Sequence, residues 1–209
     1  MTNTLDMTQT ELRDINTTLQ VAAKGQANEK YIITNPRGSH AMACGLDGPL
    51  DVTIQGSTGY YCAGMNKEAA ITVKGSAGPG VAENMMSGTV NIKGNASSRC
   101  GISMKGIDIV VHGNIGHMSA FMAQKGNLVV LGNAGDALGD SLYEARLFVR
   151  GAVKSLGADC IEKEMRPEHI EILKELLEKA GADAKPEEFK RYGSARKLYN
   201  FNIDHADEY

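Results

Sequence analysis

Glycine recurs every 19 residues through the middle of this chain, at Gly56, Gly75, Gly94, Gly113, Gly132 and Gly151. A fixed period of that length leaves few architectures open, because each unit must bury its apolar side against copies of itself. Each glycine closes a short apolar run: Val52-Thr53-Ile54-Gln55, Ile71-Thr72-Val73-Lys74, Val90-Asn91-Ile92-Lys93, Ile109-Val110-Val111-His112, Leu128-Val129-Val130-Leu131 and Leu147-Phe148-Val149-Arg150. The first and third positions are always aliphatic, and the fourth is polar except at Leu131. Alternation with period two in aliphatic and β-branched residues predicts a strand with one face buried. A degenerate seventh copy is expected at Ile33-Thr34-Asn35-Pro36-Arg37-Gly38, with its glycine one residue late. The chain is thus expected to be all-β, a right-handed parallel β-helix (solenoid) of six to seven turns with about 19 residues per turn.

The columns continue past the strand. Ser57, Ser76, Asn95, Asn114 and Asn133 follow the glycines, and stacked polar side chains at a corner can hydrogen-bond along the axis. The glycines themselves would serve a positive φ or a close approach of neighbouring backbone. A second column, Ala63, Ala82, Gly101, Ala120, Gly139 and Ala158, is always small and predicts close packing inside a narrow tube. Coils of 19 extended residues have a perimeter near ~60 Å, or three sides, and six of them stack to about 29 Å. Cys62 and Cys100 share a column two coils apart, roughly 10 Å, too far for a disulfide, and are expected to be filler.

Three regions follow: an N-terminal extension over 1–30, the solenoid over 31–162, and a capping helix with a docking tail over 163–209. Thr8-Gln9-Thr10-Glu11 resembles a capping box, so a short helix is expected to begin there. Residues 165–181 predict a helix, with Pro167 in its first turn, Ile170, Leu173, Leu177 and Ala180 on one face, and Gly181 closing it. This helix is expected to cap the last turn, since an open end would expose apolar edge. Another short helical turn is expected over 187–192. The tail carries Leu198, Tyr199, Phe201 and Ile203, which predict docking either on the chain itself or on a partner.

Groups able to do chemistry do not converge in the sequence. None of the four cysteines forms C-x-x-C, and His112 and His117 lack a familiar metal spacing. His112 falls in the outward column with Gln55 and Lys74 and is expected to be an exposed surface residue. The Gly-x-x-Gly stretches recur once per coil rather than leading into a helix, so they are corners and not phosphate loops. Tyr60, Tyr61 and Arg99 fall in neighbouring columns, with no arrangement that makes them catalytic. No catalytic, cofactor-binding or metal-binding residue is therefore expected in this chain. A net charge of −3 without a basic cluster argues against a nucleic-acid partner. No apolar run reaches membrane-spanning length and no export signal is visible, so a cytoplasmic protein is expected.

Gly75-Ser76-Ala77-Gly78-Pro79-Gly80, the stretch Met86–Ala96 and Gly132-Asn133-Ala134-Gly135-Asp136-Ala137 resemble the Gly-x-Gly-x-Gly domain at the C-terminus of the glutamate synthase large subunit. The resemblance covers roughly residues 30–160. The same domain stands alone as a subunit of N-methylglutamate synthase, and a separate chain with this tail is most similar to that subunit. The resemblance implies that the chemistry lies in partners: a class II amidotransferase-like subunit, and an FMN-binding glutamate-synthase-like subunit with an iron–sulfur cluster. It assigns no catalytic residue to the solenoid. A related domain occurs in a subunit of formylmethanofuran dehydrogenase, which the repeat does not separate. A hexapeptide-repeat acyltransferase is the enzyme alternative, but its coils hold multiples of six, about 18 residues, and the period of 19 breaks that register.

Overall fold

The computed structural model describes residues 2–25 and 29–198. The six repeat runs form β3 (Leu50–Ile54), β4 (Ala70–Val73), β5 (Thr89–Ile92), β6 (Lys105–Val111), β7 (Lys125–Val130) and β8 (Arg146–Val149), each parallel to the next. The register is the repeat itself: Val52, Ile71, Val90, Ile109, Leu128 and Leu147 lie in one file. All six are at most 1% exposed, so each coil buries its aliphatic side chains against the coils above and below. The chain is a parallel β-solenoid.

A seventh strand exists, two residues earlier than the sequence suggests. In β2 (Glu29–Thr34), Tyr31 pairs with Val52 and Ile33 with Ile54. The first coil thus spans 52 − 31 = 21 residues where the next spans 71 − 52 = 19. Its glycine therefore falls out of step with the other six. The sheet also reaches into the N-terminal segment, where β1 (Thr2–Asp6) pairs in parallel with β2.

Two kinds of contact make the corners. Past the strand, each Ser or Asn accepts the backbone N–H of its counterpart one coil later: Ser57 Oγ from Ser76 at 3.0 Å, Asn95 Oδ1 from Asn114 at 2.8 Å, Asn114 Oδ1 from Asn133 at 2.7 Å. The side chain making that bond lies against the next corner glycine, so a Cβ on Gly75, Gly94, Gly113, Gly132 or Gly151 would collide with it. Close approach, not a positive φ, is what these five positions require. On the far side, alternate residues are left-handed: Tyr61, Ala63 and Met65 have φ of 62°, 60° and 58°, and the next coils repeat this. Their N–H groups point alternately along the axis, Tyr61 to Pro79 O, Ala63 to Met42 O, Met65 to Glu83 O. The column Ala63, Ala82, Gly101, Ala120 and Gly139 is small because it faces the filled interior: the alanines are fully buried, and a Cβ on Gly101 or Gly139 would meet the side chains of Ile109 or of Leu142 and Leu147, whereas Tyr61 and Met65, equally left-handed, point outward and are large.

The ends are closed by different devices. Helix α1 (Leu12–Lys24) buries Ile15, Leu19 and Ala23 on the first coil. It begins at Leu12, after a turn in which Asp6 accepts the Thr8 N–H, and the expected capping box does not form. Asn16 accepts the Ala43 N–H and donates to Ala41 O, and Gln20 donates to Cys44 O, so α1 replaces the missing preceding coil. At the other end β10 (Lys190–Ser194) runs antiparallel to β8, with β9 (Cys160–Lys163) outside it. Residues 190–194 are thus a strand where a helical turn was expected; only Pro186–Glu188 form a single 3₁₀ turn.

Helix α2 (Pro167–Ala180) forms as the sequence predicts, with Gly181 left-handed at its end. It lies on the flank of the sheet rather than over the last coil. Its Leu173, Leu176, Leu177 and Ala180 pack on Val110, Val129, Leu131 and Phe148. The second strand position carries Thr53, Thr72 and Asn91 in the early coils and Val110, Val129 and Phe148 in the late ones. That change from polar to apolar marks the footprint of α2, and Leu131 breaks the polar column because it sits in the same cluster. Ile170, expected on the buried face, is only half-buried, while His169 is buried.

Candidate functional site

The left-handed strip leaves an apolar face on the outside of the corner. Tyr60 is 53% exposed, Met65 48% and Met122 46%. Met65 and Met122 occupy one column three coils apart, about 14 Å. Tyr61, Ile102, Met118 and Phe121 lie half-buried between and beside them. The strip holds its side chains in place because each left-handed residue is bonded through its backbone to a neighbouring coil. Tyr60 is further braced by His40, whose ring stacks on it at 4.0 Å and whose Nδ1 accepts the Tyr60 N–H at 3.1 Å. Arg99 lies exposed in the same strip. A rigid face with exposed Tyr and Met is suited to binding another surface, and it brings together no nucleophile with a base.

The remaining candidate groups serve the coil. Cys62 and Cys100 are fully buried free thiols, and burial pushes both up to about 12, which keeps them protonated and unreactive. His112 is half-buried, not exposed as the column predicts, because α2 covers that part of the face. Its Nε2 lies 3.1 Å from Lys93 Nζ and 3.0 Å from Asn91 Oδ1. Lys93 donates to the Ala180 carbonyl at 2.6 Å and Asn91 donates to the same oxygen at 3.1 Å. The trio therefore anchors the C-terminal, negative end of α2 on the sheet. Burial first, then Lys93, pushes His112 below the ordinary histidine value. Among the described residues, no three His, Cys, Asp or Glu side chains are placed to hold a metal ion.

At the C-terminal end of the coil, Leu198 is 52% exposed and lines a shallow groove with Ile161, Ala195 and Lys197. Tyr199, Phe201 and Ile203, expected to dock with it, lie outside the described residues. No helix among the described residues is long and apolar enough to cross a membrane.

No protein-family model matches the chain. Protein GlxC of Rhizobium meliloti (strain 1021) is 66% identical over 225 residues, an alignment that covers 98% of this chain and 99% of the relative. The chain belongs to the GlxC family. The name GlxC specifies neither substrate nor reaction, so the function of this GlxC-family chain has to be argued from its surfaces. The structure exposes Tyr60, Met65 and Met122 along one corner, with Asn84, Ser103 and Arg99 among them, and Ile161 and Leu198 beside β9 at the opposite end of the sheet from α1. The repeat glycines Gly56, Gly75, Gly94, Gly113, Gly132 and Gly151 are scaffold positions in this GlxC-family fold, each two residues beyond the end of a strand. What sequence reasoning missed is the apolar strip itself. Its signal, Met65 and Met122 at the same point of the period, was present but reads as core until the left-handed backbone turns those side chains outward.

Proposed function

We propose that the chain is a structural, non-catalytic subunit of a glutamate-synthase-like complex. The finer reading is N-methylglutamate synthase, which converts methylamine and glutamate to N-methylglutamate and ammonia. In it, the solenoid holds a class II amidotransferase-like subunit and an FMN-binding subunit in register. The observation that carries this reading is the apolar corner strip of Tyr60, Met65 and Met122, exposed on a frame whose backbone bonds run along its axis. Exposed apolar area on a rigid surface is a mark of protein association. The glycine and asparagine corners supply the resemblance that names the partners. A stiff spacer suits such a complex, because a reactive amine passes between fixed sites without loss to solvent. FMN and the iron–sulfur cluster belong to the partners in this reading.

The test is recovery of the tagged chain from its native host. The wild type is expected to bring down an amidotransferase-like chain and a flavin-containing chain in fixed ratio. Met65→Asp with Met122→Asp is expected to lose both while keeping the wild-type circular dichroism spectrum. A wild-type chain recovered alone, or one that carries a yellow chromophore after purification to homogeneity, would overturn the proposal.

A further inference from the structure

The two ends of the stack are finished differently. At the first coil α1 supplies the missing neighbour, and its side chains bond to the backbone of that coil. At the other end the outermost strand is β9, which pairs with β10 on one side; no strand among the described residues lies beyond it. The edge is apolar as well as unpaired. Ile161 is 43% exposed, and the residue opposite it in β10 is Gly193, which has no side chain to cover it. Leu198, 52% exposed, lines the same groove of about 380 Å³ together with Ala158, Asp159 and Cys160.

The chain is led into this groove. After β10 it passes over the last coil and is clamped by Asp159. Asp159 Oδ2 accepts the Ser194 hydroxyl at 2.6 Å, its main-chain O accepts the Ala195 N–H at 2.8 Å, and its Oδ1 accepts the Lys197 N–H at 3.1 Å. Three bonds to one residue fix the path that brings Leu198 to the groove beside Ile161. The residues that follow are Tyr199-Asn200-Phe201-Asn202-Ile203, apolar at every second position. That period suits a strand with one apolar face. β9 itself is four residues long, so a segment of this length matches its edge. An unpaired edge presents a row of N–H and C=O groups to any extended segment that reaches it. A segment tethered beside the edge is present at an effective concentration of about millimolar, which favours it over a separate chain.

We propose that residues 199–203 add a further strand to the free edge of β9, with Tyr199, Phe201 and Ile203 laid over Ile161. The occupant is the chain's own segment, not a second copy or a partner. The added strand finishes the stack: it pairs the last edge and covers the apolar side chain left in water there. The inference stands independently of the proposed complex, which rests on the corner strip.

Hydrogen exchange of the full chain, read by mass spectrometry, is the test. Amides of 200–203 and of β9 are expected to exchange at least about tenfold more slowly in the wild type than in Phe201→Asp with Ile203→Asp. Ile161→Asp is expected to release 200–203 to the same extent while β3 to β8 keep wild-type exchange, since Ile161 lies outside the buried core. Protection of 200–203 is expected to be equal at about 1 μM and about 50 μM chain, because a tethered segment binds independently of concentration. The proposal fails if 200–203 exchange as a free peptide in the wild type, if their protection survives Ile161→Asp, or if β9 exchange is unchanged by Phe201→Asp with Ile203→Asp. It fails equally if protection grows with concentration, which would make a second copy the occupant.

Discussion

The corner that follows each strand is built by a Ser or Asn and its counterpart 19 positions later. A Cβ on Gly113 would stand 2.9 Å from Gly94 O and closer still to Asn95 Oδ1, the atom that accepts the Asn114 N–H. Gly113→Ala is expected to cost about 1–3 kcal/mol, and Asn95→Ala about 1 kcal/mol for the lost acceptor. Because the two substitutions touch the same contact, thermal melts of both and of the double variant should be non-additive, with Asn95→Ala relieving part of the alanine's cost. Purely additive losses would mean that the glycine is required for another reason. Histidine supplies the second prediction at this scale. His112 and His169 are both held below the ordinary value of 6.5, each by burial first, then by Lys93 and by Arg191 respectively. A histidine depressed in the folded state binds its proton more readily once unfolded. Its stabilising contribution is therefore complete above about pH 6.5 and is lost as pH falls through the folded value. Melting temperature should fall between pH 7.5 and pH 5, and His112→Gln with His169→Gln should flatten that part of the profile.

Among the elements, α2 makes the clearest case for argument from packing. Phe148 is fully buried under α2, in a cluster with Leu173 and Leu177. Phe148→Ala is expected to cost about 3–5 kcal/mol. Hydrogen exchange should then quicken in 167–180 ahead of the strands, because the inward file of β8 does not depend on that ring. Equal quickening in α2 and in the β3–β6 strands would show that the helix is not a separate plate. The existence of α2 was legible from Pro167, the apolar spacing and Gly181, since these act within the helix. Its position was not, and the expectation of an end cap failed because β10 already covers the open edge of β8. The evidence for its true seat was the polar-to-apolar change along Thr53, Thr72, Asn91, Val110, Val129 and Phe148, a pattern that acquires meaning only once those residues are known to face outward.

For the whole molecule, the coils have no independent core. Val90 and Ile109 lie in register in adjacent coils, each at most 1% exposed, and each buries surface belonging to its neighbours. Val90→Asp would leave a charge in that file without a partner, and it is expected to lower the single melting transition of the entire solenoid by well over 10 °C or abolish folding. Circular dichroism would distinguish this from local damage: two separate transitions, or an unchanged melt, would contradict shared burial. The candidate site divides along the same line. The left-handed backbone of the corner recurs in each coil, but its exposed apolar residues do not: the column of Met65 and Met122 carries Asn84 and Ser103 in the two coils between them.

The sequence by itself determined the coil, its period and its register from β3 to β8. The reason is that the interactions which build it join a residue to its counterpart 19 positions away, so every contact is written several times in the chain. Only the tertiary structure decided the left-handed strip, the two-residue shift of the first coil, the side-on seat of α2 and the strand that seals the last coil. The strip runs against local preference, since about 1–2 kcal/mol per non-glycine residue opposes it, and only bonds to neighbouring coils overcome that. The other three occur once each, with no second copy against which a reader could align them.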